Sequence, residues 1–258
     1  MIKYVEKLAR GSGKILLEYL NKKKVNKITV KDNFSYVGEA DIASEDFIIN
    51  NIEKHYPQSK IIAEEKGVLQ SDERNSGLTW VIDPLDGTTN YIHGFPFFCV
   101  SIGVMEGNNL IAGVIYNPAN NEMYSAANNK GAYLNKNKIS VSKIDSFKDS
   151  LLITGFYYDQ GTRLAKQIER FKKVQNITQS VRRLGSAALD LCYVACGKAD
   201  GFWEENLNPW DVAAGTIILT ESGGEFSDFN NGEGCIFGEQ FVYSNSIIHG
   251  DFLRALDV

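Results

Sequence analysis

The chain has 258 residues, of which 43% are hydrophobic and 23% are charged. This composition is typical of a globular protein with a packed core, and it excludes a mainly disordered, collagen-like or coiled-coil chain. With 27 basic and 32 acidic side chains the net charge is −5, which excludes the strongly basic surface typical of nucleic-acid-binding proteins.

The cysteines and the first predicted helix indicate the cellular compartment in which the protein is expected. The four cysteines form neither a Cys-x-x-Cys pair nor a Cys/His pattern suited to zinc. Charged residues interrupt the amphipathic segment at the start of the chain, so it does not resemble a signal peptide. No segment approaches the roughly 20 apolar residues that a membrane span needs. We therefore expect a cytoplasmic protein without a membrane partner, whose cysteines are reduced and packed in the core.

Hydrophobic periodicity predicts the elements of the first half of the chain. Helices are predicted over residues 2–22 and 41–55, and short strands over 60–63 and 79–82. Three β-rich segments between residues 99 and 126 are separated by turn signals and predict an antiparallel meander.

The second half of the chain alternates between strands and helices. A polar stretch at 139–150 has no strong periodic pattern and predicts a boundary between two lobes, residues 1–145 and 146–258. Beyond it, strands are predicted at 151–154 and 241–244, and helices at 162–174, 186–196, 211–222 and 249–256. This mixture predicts layered lobes of α and β structure.

The most informative segment is Trp80–Asn90, where an apolar strand leads into a turn that carries Asp83 and Asp86. Gly87 permits close backbone approach, and Thr88 adds a hydroxyl group. Two carboxylates beside exposed backbone N–H groups suit a hard cation together with a phosphate. Taken alone, Asp-x-x-Asp-Gly is more often a turn with solvated aspartates. The flanking strand favours a functional site because it fixes the direction of the carboxylates.

Further acids lie where elements begin or end. Glu64 follows a short apolar strand, Asp211 opens an apolar helix, and Asp41 opens another. Each has an ordinary explanation as a solvated acid, an acid favoured by the helix dipole or a helix cap. Ser186, after Gly185, is either an N-cap or a contact to an anion or hydroxyl group.

The combination of these acids is more specific than any one of them. If Glu64, Asp83, Asp86 and Asp211 converge, they form an oxygen-only ligand set, which selects Mg²⁺, Mn²⁺ or Ca²⁺ over zinc or copper. Clustered carboxylates repel one another, so a bound cation would be needed to keep all of them ionised.

Three segments, in this order, resemble the signatures of the inositol monophosphatase family: Glu64-Glu65, Asp83–Asn90 and Trp210–Gly215. This metal-dependent, lithium-sensitive family belongs to a superfamily with fructose-1,6-bisphosphatases and 3′-phosphoadenosine-5′-phosphate phosphatases. The resemblance implies an α+β fold, a layered α/β/α/β/α sandwich of two lobes with the active site between them. It also implies a mobile loop over the metals at residues 31–34.

The resemblance implies a ligand set for two or three Mg²⁺ ions, with Mn²⁺ as an alternative. Glu64, Asp83 and the carbonyl group of Leu85 would bind the first ion. Asp83, Asp86 and Asp211 would bind the second, with Asp83 bridging. Glu64 would help to hold a third, weaker ion.

The resemblance further implies catalytic roles for Asp41, Glu64 and Thr88, with Thr88 and Asp41 positioning the attacking water. Backbone N–H groups of Gly87 and Thr88 would hold phosphate oxygens. The implied substrate contacts are Asp86, Gly87, Thr88, Gly185, Ser186, Ala187, Glu204 and Asp211.

The implied activity is Mg²⁺-dependent hydrolysis of inositol 1-phosphate or a related small polyol or sugar phosphate by in-line attack of water. Relatives are commonly homodimers, so a homodimer is expected, without direct binding of nucleic acid. Two alternatives stay open. One is the same chemistry on fructose-1,6-bisphosphate, 3′-phosphoadenosine-5′-phosphate or histidinol phosphate. The other is a regulatory, protein-binding role in transcription, which some bacterial relatives have.

Overall fold

The computed structural model describes residues 1–21, 28–31, 35–69, 77–156, 162–232 and 234–257. Its helices are α1 (Ile2–Asn21), α2 (Glu39–His55), α3 (Thr88–Ile92), α4 (Thr162–Ile177), α5 (Ala187–Ala195), α6 (Pro209–Glu221) and α7 (His249–Leu256). Strands of the first half are β1 (Ile28–Lys31), β2 (Ser35–Gly38), β3 (Lys60–Ala63), β4 (Gly67–Leu69), β5 (Leu78–Asp86), β6 (Cys99–Glu106), β7 (Asn109–Asn117), β8 (Glu122–Ala127), β9 (Ala132–Leu134) and β10 (Asn137–Lys138). Those of the second half are β11 (Leu151–Thr154), β12 (Ser180–Arg182), β13 (Gly201–Glu205), β14 (Glu225–Ser227) and β15 (Gln240–Ser244).

Two larger sheets organise these elements. The first has eight strands in the order β10-β9-β8-β7-β6-β5-β3-β4, and the second has five in the order β12-β11-β13-β15-β14. The first sheet is antiparallel except where β3 pairs with β5, and in the second β11 is parallel to both of its neighbours. β1 and β2 form a separate antiparallel pair. The predicted meander is present as β6, β7 and β8.

Helices cover both faces of each larger sheet. α1 and α2 pack on one face of the eight-stranded sheet, α5 and α6 lie between the two sheets, and α4 and α7 cover the outer face of the five-stranded sheet. This is the layered α+β sandwich predicted from the sequence. β6 is buried along nearly its whole length because helices shield both of its faces.

The helix α1 shows how sequence spacing produces this packing. Its buried residues, among them Val5, Leu8, Ala9 and Leu16, recur at helical spacing and form one apolar stripe. This stripe joins a core cluster with Trp80 on β5. Complete burial of a Leu or Val side chain contributes about 1.5–3 kcal/mol.

The strand β5 is longer than predicted. It runs to Asp86 rather than ending at Asp83, with a register shift between these residues where they pair with β6. Pro84 has no N–H group for the ladder, and Oδ1 of Asp83 accepts a hydrogen bond from the Leu85 N–H at 2.9 Å. This irregularity keeps both aspartates anchored to the sheet.

Three further expectations bear on the fold. The eight-stranded sheet ends at Lys138 and the five-stranded sheet begins at Leu151; the division at residue 145 stays a prediction. In the described part of the chain no helix is both long and apolar enough to cross a membrane. All four cysteines are free, but Cys235 is exposed, so the expectation that all four lie in the core is wrong.

Candidate active site

The parallel pairing of β3 with β5 brings acids together at the ends of these two strands. Ala63 pairs with Ile82, and the next residues along the two strands are Glu64 and Asp83. The N–H of Glu64 donates to the carbonyl oxygen of Ile82 at 3.2 Å, which extends the contact by one residue. Local strand pairing therefore places two predicted metal ligands side by side.

Asp41, Glu64 and Glu65 form a compact acidic group. One carboxylate oxygen of each lies within 4.8 Å of those of the other two, and within the described residues this is the one group of acids, cysteines or histidines with such spacing. Asp41, in the first turn of α2, is 1% exposed. The oxygens of Asp83, Asp86 and Asp211 do not form a group of this kind. Glu65 lies in one of the family-like segments but was not among the predicted metal ligands.

Glu45 of α2 fixes the turn that carries Glu64 and Glu65. Its carboxylate oxygens accept hydrogen bonds from the backbone N–H groups of Glu65 at 2.9 Å and Lys66 at 3.0 Å. Burial raises the pKa of Glu45, whereas these two N–H groups lower it. On the same helix, Ser44 donates to the carbonyl oxygen of Pro84 at 3.0 Å. α2 therefore connects both acid-bearing segments.

Asp83 lies at the electrostatic centre of the site. It is 2% exposed, and burial raises its pKa well above the ordinary value for aspartate. Four neighbouring carboxylates raise this pKa further, in the order Glu64, Asp86, Asp211 and Asp41. Such a group holds several charges only when a cation compensates them.

Asp86 connects the end of β5 to the beginning of α5. Its Oδ2 accepts hydrogen bonds from Ser186 Oγ at 2.6 Å and from the Ala188 N–H at 2.8 Å. Burial raises the pKa of Asp86, and these hydrogen bonds lower it. Ser186 is also the N-cap of α5, since its Oγ accepts from the Leu189 N–H. The predicted capping role is confirmed.

Asp211 enters from α6. Its Oδ2 accepts a hydrogen bond from the N–H of Asn208 at 2.7 Å, so it helps to begin this helix. The preceding carbonyl group, of Trp210, accepts from Ser101 Oγ at 3.2 Å, and Ser101 pairs with Asp83 across β6 and β5. Burial raises the pKa of Asp211, and the charge of Asp86 raises it further.

The turn between β5 and α3 supplies a hydroxyl group. Gly87 has φ 89°, and a Cβ there would lie 2.9 Å from the carbonyl oxygen of Phe97, so the position requires glycine. Thr88 Oγ1 donates to the Leu85 carbonyl oxygen at 3.1 Å. Its lone pairs stay available to accept a hydrogen bond from another donor.

A cavity of about 180 Å³ opens beside these acids. All eight predicted substrate contacts line it: Asp86, Gly87, Thr88, Gly185, Ser186, Ala187, Glu204 and Asp211. Burial raises the pKa of Glu204 to about 8, although the charge of Arg183 opposes this shift. Asp41, Glu64 and Glu65 are not among the lining residues. Asp83 interacts electrostatically with Glu64 and Asp41 of the compact acidic group, and with Asp86 and Asp211 in the cavity wall.

Comparison with known proteins identifies the family. The model of the inositol monophosphatase family matches residues 1–257. The chain belongs to this family. Inositol-1-monophosphatase from Synechocystis sp. is 42% identical over 220 residues, which are 85% of this chain and 76% of that protein. Nus factor SuhB from Pasteurella multocida is 40% identical over 235 residues, 90% of this chain and 86% of that protein.

A solved structure agrees with this assignment. The extragenic suppressor protein suhB from Bartonella henselae has a TM-score of 0.91 and 34% identity, covering 97% of this chain and 96% of its own. As a member of the inositol monophosphatase family the chain is an inositol-1-monophosphatase-like phosphatase. Its acidic cluster can hold a metal ion, because every donor is an oxygen atom.

Some features lie beyond the sequence prediction. The expected loop over the metals includes residues 32–34, which are outside the described residues. Gly155, Arg183 and Asp190 also line the cavity but were not predicted. Asp190 stands within the apolar helix α5 and Arg183 in a small basic pair, and neither pattern indicates a site.

Proposed function

We propose that this phosphatase hydrolyses inositol 1-phosphate or a related small polyol phosphate with the help of bound Mg²⁺. The observation that carries the proposal is the convergence of buried and half-buried carboxylates around Asp83, beside a cavity that Asp86 and Asp211 line. An uncompensated cluster of this kind is costly, whereas divalent cations and a phosphate group would balance its charges.

The proposed ligands of the first ion are Glu64, Asp83 and the Leu85 carbonyl group, and those of the second are Asp83, Asp86 and Asp211. Oxygen donors suit Mg²⁺, with Mn²⁺ as the alternative. The Leu85 oxygen accepts from Thr88 and keeps a second lone pair for a cation. When bound, the ions would neutralise phosphate charge and lower the pKa of a coordinated water.

The protein's own groups would position the reactants. Oγ1 of Thr88 can accept a hydrogen bond from the attacking water, because its own hydrogen is directed to Leu85. Asp41 and Glu64 would help to orient the same water. The N–H groups of Gly87 and Thr88 would hold phosphate oxygens. Because phosphoryl transfer has a loose transition state, such positioning and charge compensation supply most of the catalysis.

The leaving group would occupy the cavity lined by the Gly185–Ala187 segment and Glu204. Ser186 already donates to Asp86, so its contribution is to hold that carboxylate and to accept hydrogen bonds. Glu204 would accept hydrogen bonds from hydroxyl groups. These polar groups in the wall can hydrogen-bond a hydroxylated leaving group.

Phosphate release from a substrate panel tests this proposal. The panel contains inositol 1-phosphate, fructose-1,6-bisphosphate, 3′-phosphoadenosine-5′-phosphate and histidinol phosphate, each with Mg²⁺, Mn²⁺ or a chelator. We expect the highest kcat/KM for inositol 1-phosphate with Mg²⁺. We expect no turnover of any substrate with the chelator. Turnover without a divalent ion would overturn the metal assignment. A clear preference for another member would keep the chemistry and replace the substrate.

A second candidate function is a regulatory role in transcription. It is favoured by the 40% identity to a protein named Nus factor SuhB. The net charge of −5 disfavours direct binding of nucleic acid, so the partner would be a protein. Co-purification of transcription-complex proteins with the tagged chain, unchanged in an Asp83→Asn variant, would establish a role separate from catalysis.

The family resemblance also leads us to infer a homodimer and inhibition by lithium. Light scattering coupled to gel filtration would measure the dimer mass directly. Titration of Li⁺ into the inositol 1-phosphate assay would measure inhibition.

A further inference from the structure

Asp190 is a buried acid in the wall of the cavity. The contacts within the fold do not explain why an acid occupies this position. Asp190 lies on α5, is 1% exposed and lines the cavity. Its Oδ1 atom is buried and has no hydrogen-bond partner within the described residues. A buried acceptor without a partner is unfavourable for folding. Its presence in a residue that lines a cavity indicates that a bound ligand supplies the missing hydrogen bond.

Asp200 provides a comparison within the same chain. It is also buried, at 5% exposure, but its two carboxylate oxygens accept hydrogen bonds from Ser142 Oγ and from the Leu151 N–H. Asp200 therefore holds the loop before β11 in place. Oδ1 of Asp190 accepts no such hydrogen bond within the described residues, so a structural role like that of Asp200 does not account for this atom.

The carboxyl group of Glu204 lies against the backbone of Gly155, and both residues line the cavity. A Cβ at Gly155 would lie 2.1 Å from both carboxylate oxygens of Glu204, so only glycine leaves room for this carboxyl group. Among the charges that act on Asp190, that of Glu204 has the largest effect, and Arg183 opposes it. Two carboxyl groups on different elements therefore belong to one polar pocket.

We propose that Asp190 is a specificity-determining residue whose carboxyl group, with that of Glu204, binds hydroxyl groups of the leaving alcohol. This inference rests on the proposed function, because it concerns the alcohol part of the same substrate. It predicts a preference for alcohols that carry several hydroxyl groups over alcohols that carry none.

The chemistry of the pocket favours a hydroxyl group over an ammonium group. Burial raises the pKa of Asp190 above its ordinary value and that of Glu204 to about 8, so a protonated Glu204 carboxyl, which donates as well as accepts, is accessible near neutral pH. A hydroxyl group matches either state because it also donates and accepts. An ammonium group only donates, and it would lie near the cation of Arg183.

The test compares kcat/KM for inositol 1-phosphate with that for 4-nitrophenyl phosphate, whose leaving alcohol has no further hydroxyl group. Asp190→Ala removes the whole carboxyl group, whereas asparagine would still donate and accept a hydrogen bond. We expect kcat/KM for inositol 1-phosphate to fall about tenfold, mainly through KM, as for loss of one good hydrogen bond. The value for 4-nitrophenyl phosphate should change less than about twofold.

Asp200→Ala is the matched control. It should lower Tm without changing the ratio of the two kcat/KM values. Should Asp190→Ala fail to fold, Asp190→Ser replaces it, and the same loss of preference is expected because its hydroxyl group is too short to reach the ligand.

The outcomes separate the inference from the proposed function. If the wild type prefers inositol 1-phosphate and the Asp190 variant keeps this preference, or loses both activities equally, only the role of Asp190 is wrong. If the wild type hydrolyses 4-nitrophenyl phosphate but no polyol phosphate, the proposed substrate class fails and the inference fails with it.

Discussion

Ser186 Oγ donates a hydrogen bond to Asp86 Oδ2 across 2.6 Å and so joins the first helix between the sheets to the end of β5. The same oxygen caps α5 by accepting from Leu189. One hydroxyl group thus serves a carboxylate of the site and the beginning of a core helix.

We predict that Ser186→Ala lowers both stability and activity. Loss of the cap and of the bond to Asp86 should reduce the free energy of unfolding by about 1–2 kcal/mol. Urea unfolding and phosphate release measure the two effects. Ser186→Thr keeps the hydroxyl group and should retain most of both; equal loss in the Thr variant would show that the hydroxyl is not the cause.

Asp83→Asn should abolish metal-dependent turnover while the protein stays folded. Removal of a buried charge next to four acids should leave Tm in the presence of a chelator unchanged or higher, because burial and repulsion raise the pKa of Asp83. The same variant should lose most of the increase in Tm that Mg²⁺ gives the wild type. Thermal unfolding with and without Mg²⁺ checks both statements, and turnover at the wild-type rate would contradict the metal assignment.

Thr88→Ala should reduce kcat much more than it weakens metal binding. Its hydroxyl group donates to the Leu85 oxygen and can accept from water, so loss of one positioned group should cost roughly 10²–10³-fold in kcat. Thr88→Ser is the control, since it keeps Oγ and should keep most of the rate. A Thr88→Ala variant with a higher KM and an unchanged kcat would contradict the proposed role.

The sequence predicted the elements with strong periodicity or clear turn signals. α1, α2, β7, β11 and α7 were predicted closely because each combines an apolar pattern with a defined end. β9, β10, β12 and β14 were not predicted, since two or three residues carry too little pattern. They are strands because a neighbouring strand of a sheet already offers them hydrogen bonds.

Site residues that share one sequence motif could be predicted from the sequence. Site residues that only the fold brings together could not. Asp83 and Asp86 were found because they share one segment. Glu45 was missed because a glutamate inside an amphipathic helix is ordinary, and its role arises only where α2 meets the turn after β3. Asp190 was missed for the same reason, as a single acid in an apolar helix.

Glu45→Gln tests whether a residue outside the cavity sets metal affinity. The amide keeps one acceptor for the turn and loses the other, so Glu64 and Glu65 should be held less firmly. Residues that orient metal ligands typically change metal affinity or activity 10–100-fold. We therefore expect a Mg²⁺ concentration for half-maximal activity raised by about that factor. Asp46→Asn, which removes only the exposed pair with Lys66, should leave it unchanged.

His249 should make stability depend on pH. Ser227 Oγ lies 2.8 Å from its Nε2 and Ser244 Oγ lies 2.8 Å from its Nδ1. Burial lowers the pKa of His249 below its ordinary value, and the charge of Glu225 opposes this shift. Because the folded-state pKa is the lower one, the contribution of neutral His249 is complete above the unfolded value, near 6.5, and is lost as pH falls through that value towards the folded one.

The measurement is the free energy of urea unfolding at pH 7.5 and at lower pH, for the wild type and for His249→Gln. The wild type should lose more stability on acidification than the variant, because glutamine cannot take up the proton. His93, which is exposed, provides the control: His93→Gln should follow the wild-type pH dependence. If His249→Gln follows it as well, the acid sensitivity arises elsewhere in the protein. Asp83, Asp86 and Asp211 cannot be its source, because their pKa values are raised in the folded state. The folded state then takes up protons more readily than the unfolded chain, so these groups favour folding as pH falls.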